Sequence, residues 1–251
     1  MRFLLSRIFK NFPYINSLWL SYLGKSDFDF YSKHCKNYKI VPFGNYCLPR
    51  VITTINRFKP TRKYGEESYP FDLCFSNFSL NVELLSTNFN NFFDDITFDK
   101  EKNYWINNKT GMIFNHDSLT QKEFVKRYKN RIKNLYKVLD NQSIHIYFIV
   151  ATFEIISVED VDLFIKVINR YRTNETFDLI IINQTNKFQA YNNKNVYSIN
   201  LKHDKSFKKI NKIGDWVGEL KKMKTFDARY FNHKIISKLS KIIKLGFIWD
   251  I

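Results

Sequence analysis

The sequence predicts a single α/β domain in which a mixed central sheet is flanked by helices. Apolar runs typical of buried strands alternate along the chain with segments of helical apolar spacing. No internal repeat or long linker divides the 251 residues, and 44% of them are hydrophobic. That is enough to bury a sizeable core and argues against disorder. We expect residues 38–251 to form this domain and residues 1–37 to be an N-terminal amphipathic helix and linker.

The first predicted strand and helix meet at a cysteine. Residues 38–43 (YKIVPF) form a short apolar run that predicts a buried strand. The chain then turns at Gly44 and Asn45 and continues with helical apolar spacing. Pro49 suits the first turn of a helix, where its missing N–H group costs nothing. Cys47 is therefore predicted at the strand-to-helix junction, beside unpaired N–H groups and the positive end of the helix dipole.

The middle of the chain combines helices with a hairpin. The spacing of Phe and Leu predicts a buried helix over residues 78–93. Residues 104–106 and 112–114 flank a turn-forming segment and predict a β-hairpin. A helix is predicted over residues 120–139, where Thr120 and Glu123 form a capping box. Its other face carries Lys126, Arg127, Lys129, Arg131, Lys133 and Lys137, a set typical of a solvated surface that could also meet a polyanion.

The second half of the chain alternates strands with helices. Residues 143–152 predict a central strand, Ser157 is expected to cap a helix through residue 169, residues 177–183 predict a buried strand, and residues 196–201 an edge strand. A short helical piece that starts at Asp215 and Trp216 and a basic amphipathic helix over residues 235–243 are expected to follow. This alternation is the main argument for the α/β class.

Charge favours anionic partners. The formal net charge is +16 with a pI of about 9.6, which suits an acidic polymer or glycan, an anionic lipid surface or nucleic acid. No zinc-finger spacing or RNA-binding aromatic motif is present, which argues against sequence-specific nucleic-acid binding. Residues 1–23 form a basic amphipathic pattern. That segment is expected either to lie on the inner membrane face or to pack on the protein's own core.

Cysteine usage and hydropathy predict a cytoplasmic protein, with the membrane contact peripheral. Cys35, Cys47 and Cys74 are an odd number without framework spacing, which suits a reducing compartment. No apolar stretch reaches the roughly 20 residues that span a bilayer. The first residues lack the apolar core and cleavage site of a signal peptide.

Four residues predict thiol chemistry. A cysteine at a helix N-terminus ionises more readily than a free thiol and can act as a nucleophile, so Cys47 is the candidate. His116 follows a predicted strand end and is the candidate base. Asp72 and Asp117 are candidates to orient that imidazole, while Asn45 and Ser68 are expected to bind substrate. Competing interpretations stay open: a small buried residue in a tight turn for Cys47, a turn cap for Asp72, and a helix N-terminal charge for Asp117.

Other chemistries lack their motifs. No H-x-x-H, C-x-x-C or H-E-x-x-H pattern predicts a metal site. The phosphate-binding loops G-x-x-x-x-G-K-[ST] and G-x-G-x-x-G are also missing, as is the serine hydrolase pattern G-x-S-x-G. We therefore expect no required metal or cofactor.

The candidate residues occur in an order that resembles a bacterial family described as papain-like cysteine peptidases. That family's pattern is Leu-Gly-x-x-Cys at a strand end, then Ser-x-Pro-Phe-Asp-Trp, then a later His-Asp. The resemblance spans roughly residues 38–170, and the residues that carry it are Gly44, Cys47, Pro70, Phe71, Asp72, His116 and Asp117. The chain departs from the pattern at Pro42-Phe43, where Ser-Leu is usual, and at Leu73-Cys74, which replaces the Trp.

The resemblance implies a papain-like or related α/β fold and a Cys-His(-Asp) site. Genes of the family that the chain resembles are frequent neighbours of surface-polysaccharide genes. The Gly-Asn-x-Cys turn is also similar to the Gly-Asn-Cys start of capsule-cluster acetyltransferases. The implied activity is peptide hydrolysis or acyl transfer to a polysaccharide, with acyl-coenzyme A as an expected donor for a transferase. The alternative expectation is a non-catalytic basic module that binds an anionic glycan, a membrane surface or nucleic acid.

Overall fold

A computed structural model describes residues 37–45, 47–55, 58–60, 66–117, 120–152, 154–173, 176–183 and 190–200. These residues form an α/β structure, which confirms the predicted class. In chain order the elements are β1 (Tyr38–Pro42), α1 (Leu48–Ile55), α2 (Phe78–Ser86), β2 (Ile96–Asp99), β3 (Tyr104–Asn107), β4 (Ile113–Phe114), α3 (Gln121–Asp140), β5 (His145–Thr152), α4 (Val158–Ile168), β6 (Phe177–Asn183) and β7 (Val196–Asn200).

The central sheet contains four parallel strands in the order β1-β5-β6-β7. One row of paired residues, Val41, Phe148, Leu179 and Val196, crosses all four strands and fixes their register. Strands β5 and β6 are near-continuous apolar runs because a parallel sheet is buried on both faces. The carboxyl ends of the strands therefore share one edge, and Cys47 follows β1 at that edge.

A second, antiparallel sheet has the order β2-β3-β4. Strands β3 and β4 are the predicted hairpin, which is confirmed, whereas β2 is a strand that the sequence analysis did not identify. The structure thus contains both parallel and antiparallel strand pairs, as a mixed arrangement requires. The parallel pairs form the central sheet and the antiparallel pairs form the second sheet.

Phe43 lies at the centre of the core. Its ring makes edge-to-face contacts with Phe71, Phe78, Phe148 and Phe164, at centroid distances of 5.0, 5.8, 5.7 and 5.2 Å. These rings come from the segment after β1, the turn before α2, and elements α2, β5 and α4. Such aromatic pairs add to the stabilisation from burial itself. The segment that carries Cys47 is therefore anchored at its start by a cluster of buried aromatic rings.

The helix predicted over residues 78–93 is shorter than expected. Helix α2 ends at Ser86, and Thr87 is its C-cap residue. Asn88, Phe89 and Asn91 then adopt positive φ angles of 54°, 57° and 62°. Asparagine tolerates this left-handed region because its short side chain bonds locally, so the Asn-rich sequence ends the helix.

The other helix boundaries agree with the predictions. The Thr120–Glu123 capping box is present at the start of α3, and Ser157 caps α4, which ends before Asn169. Pro49 lies in the first turn of α1. Arg172 closes the other end of α3 by donating hydrogen bonds to carbonyls of its last turn and of the residues that follow.

Several predictions fall outside the described residues. They concern the N-terminal amphipathic helix of residues 1–23, the linker up to residue 36, the helical piece at 215–216 and the basic helix over 235–243. Within the described part of the chain, none of the helices combines the length and apolar character that crossing a membrane requires.

Candidate active site

The backbone before Cys47 is held by an asparagine from α2. Phe43 continues the pairing of β1 by donating its N–H to the Ile149 carbonyl at 2.9 Å, and the Phe43 carbonyl accepts from Asn81 Nδ2 at 3.0 Å. Gly44 then turns the chain at φ 105°. A Cβ atom at Gly44 would lie 2.2 Å from Asn81 Nδ2, so this position requires glycine. Cys47 follows and directly precedes α1.

The thiol of Cys47 is half-buried and is not acidic. Burial raises its pKa above the ordinary 9.0, and a backbone hydrogen bond only partly opposes this effect. The prediction that its position at the helix N-terminus makes the thiol ionise more readily is therefore wrong for the free protein, because the loss of hydration outweighs the local backbone groups. The resting form of Cys47 is the neutral thiol.

Asn45 joins this turn to the end of β5. Its side chain is buried, and its Nδ2 donates to Thr152 Oγ1 at 3.1 Å. Its Oδ1 is sealed from solvent and has no hydrogen-bond partner in the described part of the chain. Ser68 lies elsewhere: it is half-buried, and its carbonyl accepts from Asn134 Nδ2 of α3 at 3.2 Å.

Two isolated bridges connect the Cys47 turn to the segment that carries His116. Asn45 pairs with Ser76, and Phe75 pairs with Ile113, both in antiparallel orientation. Since Cys47 follows Asn45 and His116 follows Ile113 closely in sequence, the two candidates flank the same short segment. No hydrogen bond between Cys47 and His116 is present among the described residues. The fold thus brings their segments together without joining their side chains.

His116 is exposed, and its imidazole is biased toward the neutral form. The protein around the ring removes part of its hydration and lowers its pKa below 6.5. The Asp117 carboxylate opposes this shift by raising the pKa, and the Arg131 guanidinium reinforces it. At neutral pH the ring is therefore a base with a free lone pair, which is the form that accepts a proton from a thiol.

Asp72 is fully buried and contacts α1. Its Oδ2 accepts from Arg50 Nη1 at 3.0 Å, while its Oδ1 is sealed without a partner in the described residues. Burial raises the pKa of Asp72, although the positive charges of Lys59, Arg50 and Arg131 oppose the rise. Its described contact therefore positions the Arg50 side chain of α1, the helix that Cys47 precedes.

Asp117 is occupied by three side chains of α3. Its carboxylate is buried, pairs with Arg127, accepts from the Tyr128 hydroxyl at 2.9 Å and lies 3.6 Å from Arg131 Nη1. These partners lie on successive turns of α3, so Asp117 anchors the chain to that helix. Its influence on His116 is electrostatic, through the neighbouring charge, and not a hydrogen bond.

Arg131 does not lie on the solvated basic face of α3 that the sequence predicts, because it is only 8% exposed. Its spacing from Tyr128 and Leu135, both buried, puts it on the apolar stripe of α3. That helical phase was the signal available in the sequence. Arg50 and Asn81, which hold Asp72 and Phe43, offered no comparable signal because their partners are distant in the chain.

The chain matches no protein-family model, no curated protein and no solved structure. In the described residues, no three or more histidine, cysteine, aspartate or glutamate side chains lie close enough together to hold a metal ion.

Proposed function

We propose that the protein is a thiol-dependent acyl-transfer enzyme of papain-like or related α/β fold, with Cys47 as nucleophile and His116 as base. The observation that carries the proposal is the position of Cys47. It follows β1 at the carboxyl edge of a parallel sheet and directly precedes α1. This edge is where open α/β sheets usually place their ligands, and a helix N-terminus offers N–H groups to a developing oxyanion.

The protonation states favour transfer of a proton between neutral groups. The neutral imidazole of His116 accepts the proton of the Cys47 thiol while the sulfur attacks a carbonyl carbon. The carbonyl oxygen becomes an oxyanion that the N–H groups at the start of α1 stabilise. As the carbon–leaving group bond breaks, the imidazolium returns the proton to the leaving group and a thioester remains. Water or a sugar hydroxyl then resolves the thioester. The proton transfer requires the Cys47 thiol and the His116 imidazole to lie within hydrogen-bond distance of each other.

The substrate class follows from the resemblance and from charge. The Gly-x-x-Cys turn, the Pro-Phe-Asp block and the His-Asp pair resemble the bacterial family described above, which supports peptide hydrolysis or acyl transfer to a surface polysaccharide. The net charge of +16 favours an acidic glycan or an acyl carrier such as acyl-coenzyme A. A cytoplasmic enzyme that contacts the inner membrane through residues 1–23 fits these partners.

A second function is favoured by the exposed face of α3. Four exposed lysines, Lys122, Lys126, Lys129 and Lys133, follow one another at helical spacing. Such a stripe suits a non-catalytic module that binds an anionic glycan, a membrane surface or nucleic acid. Binding of that kind is strongly salt-dependent.

Mass spectrometry of the full chain tests the enzyme proposal. The protein is incubated with an activated ester, p-nitrophenyl acetate, and with acetyl-coenzyme A, and acyl adducts are mapped to residues. We expect an adduct on Cys47 that Cys47→Ser abolishes and His116→Ala slows. Cys74→Ser is the matched control, since Cys74 is a buried cysteine in the neighbouring segment. An adduct that survives Cys47→Ser refutes the assignment, and the absence of any adduct in the parent chain favours the binding module.

A further inference from the structure

One nitrogen of the buried Arg131 guanidinium has no hydrogen-bond partner in the described part of the chain. Only 8% of the residue is exposed, and this nitrogen, Nη1, is sealed from solvent. An arginine presents five N–H donors, and burying charged donors unpaired is costly.

Asp117 does not supply this partner. Its Oδ2 lies 3.6 Å from Arg131 Nη1, beyond hydrogen-bond distance, and the same oxygen accepts from the Tyr128 hydroxyl at 2.9 Å. The other oxygen, Oδ1, pairs with Arg127. One carboxylate therefore faces two guanidinium groups. The Arg131 side chain also makes a cation–π contact, with its guanidinium carbon 4.5 Å from the centre of the Tyr128 ring.

Arg131 also lies within electrostatic range of the candidate site. It acts on His116, whose pKa it lowers, and on Asp72 and Cys74, whose pKa values it also lowers. Cys47 in turn acts on Cys74. Its Nη1 lies 3.6 Å from Oδ2 of Asp117, the residue after His116, so the positive charge of Arg131 lies beside the segment that carries the candidate base.

We propose that Arg131 is a binding residue for an anionic group, a carboxylate or a phosphate, on the ligand that reaches Cys47. A guanidinium matches the geometry of both groups through two parallel hydrogen bonds. The anion supplies the acceptor that Arg131 Nη1 lacks. As a statement about the substrate of Cys47 this rests on the proposed function; as a statement about an anion site it stands on the contacts of Arg131 alone.

Calorimetric titration of the full chain with inorganic phosphate and, separately, with acetate tests the anion site at low ionic strength. We expect at least one of them to bind saturably and Arg131→Met to weaken that binding by about tenfold or more, the loss expected for one charge-assisted hydrogen bond. Arg131→Lys keeps the positive charge but loses the planar guanidinium, so its affinity for the anion should lie between those of the parent and Arg131→Met. Lys133→Met removes the same charge from the exposed face of α3 and should bind like the parent. Whichever probe binds identifies the ligand as phosphate-bearing or carboxylate-bearing.

Alkylation connects the anion site to the thiol. The ratio of Cys47 alkylation rates with iodoacetate and iodoacetamide reports attraction of a carboxylate to the site, because the two reagents differ in that charge. We expect Arg131→Met to lower the ratio several-fold and Lys133→Met to leave it unchanged.

The proposal is overturned if the parent chain and Arg131→Met bind the probes equally well, or if the parent chain binds neither phosphate nor acetate. Arg131 is then a structural partner of Asp117 and Tyr128. Should Arg131→Met fail to fold, the comparison of Arg131→Lys with the parent decides in the same way. The titration is repeated in Cys47→Ser, which lacks the nucleophile. Anion binding that persists there while no acyl adduct forms on Cys47 in the parent refutes the enzyme and keeps the anion site.

Discussion

Replacement of Glu66 by glutamine tests whether a buried ion pair holds the region around β1. Glu66 Oε1 lies 2.7 Å from Lys59 Nζ, and Oε2 lies 3.1 Å from Lys39 Nζ. The Lys59 side chain is fully buried, and its Nζ also donates to the Ile40 carbonyl of β1 at 2.8 Å. In Glu66→Gln the lysine keeps its position but loses the carboxylate that balances its charge.

The expected loss is large because one charge is left buried. Removing one partner of a buried pair typically costs about 3–5 kcal/mol of unfolding free energy. For a chain of this size that corresponds to a melting temperature lower by about 6–20 °C. Lys59→Met should cost less, since burial already opposes its charge and lowers its pKa, and a methionine stem fills similar space. The double variant Lys59→Met/Glu66→Leu should therefore be more stable than the sum of the single losses predicts.

The pH dependence has a defined sign. Burial by itself would raise the pKa of Glu66, but attraction to Lys59 and Lys39 outweighs it and lowers the pKa below 4.5. A carboxyl group with a lowered folded-state pKa stabilises the protein above its unfolded pKa, and that stabilisation disappears as the pH falls through the folded-state value. The difference in unfolding free energy between the parent and Glu66→Gln should thus be constant near neutral pH and shrink below about pH 4.5.

Urea unfolding followed by circular dichroism measures these losses. Glu67→Gln is the matched control, because Glu67 pairs at 2.9 Å with Lys137, whose side chain is 71% exposed. Surface pairs contribute roughly 0–1 kcal/mol, so the control should change little. A loss below about 1 kcal/mol for Glu66→Gln, or one equal to that of Glu67→Gln, would show that this pair does not stabilise the fold as argued.

Three further outcomes are expected. Gly44→Ala should lower stability by more than about 2 kcal/mol, since the φ angle of 105° and the contact with Asn81 both exclude a Cβ atom, and adding Asn81→Ala should restore part of the loss in urea unfolding. Arg172→Met should cost about 3 kcal/mol and speed hydrogen exchange in the last turn of α3, whose carbonyls lose their cap, while unchanged exchange there would contradict that role. Iodoacetamide should label Cys47 at a rate that still rises above pH 9, because burial raises the pKa of its thiol. It should leave Cys74 unmodified, since that residue is buried and has a pKa of about 12. A labelling rate of Cys47 that levels off below pH 8 would instead mean an activated thiol.

Local sequence patterns predicted most of the described elements. The apolar runs of β5 and β6, the hairpin of β3 and β4, and the capping box of α3 are encoded by neighbouring residues, and the structure confirms each of them. The end of α2 has a local cause as well, because Asn88 and Asn91 adopt positive φ angles just after a helix that the apolar spacing alone would continue. Strand β2 was not predicted. It has only four residues, and its own sequence does not indicate that it pairs with β3.

The sequence by itself determined where strands and helices form and that Cys47 lies between β1 and α1, since periodicity and capping act within a few residues. Only the tertiary structure decided the partners of the ionisable groups: Asp72 binds Arg50, Asp117 binds side chains of α3, and burial keeps the Cys47 thiol neutral. A pKa depends on lost hydration and on charges brought close by folding. Those quantities belong to residues far apart in the chain, so no local pattern encodes them.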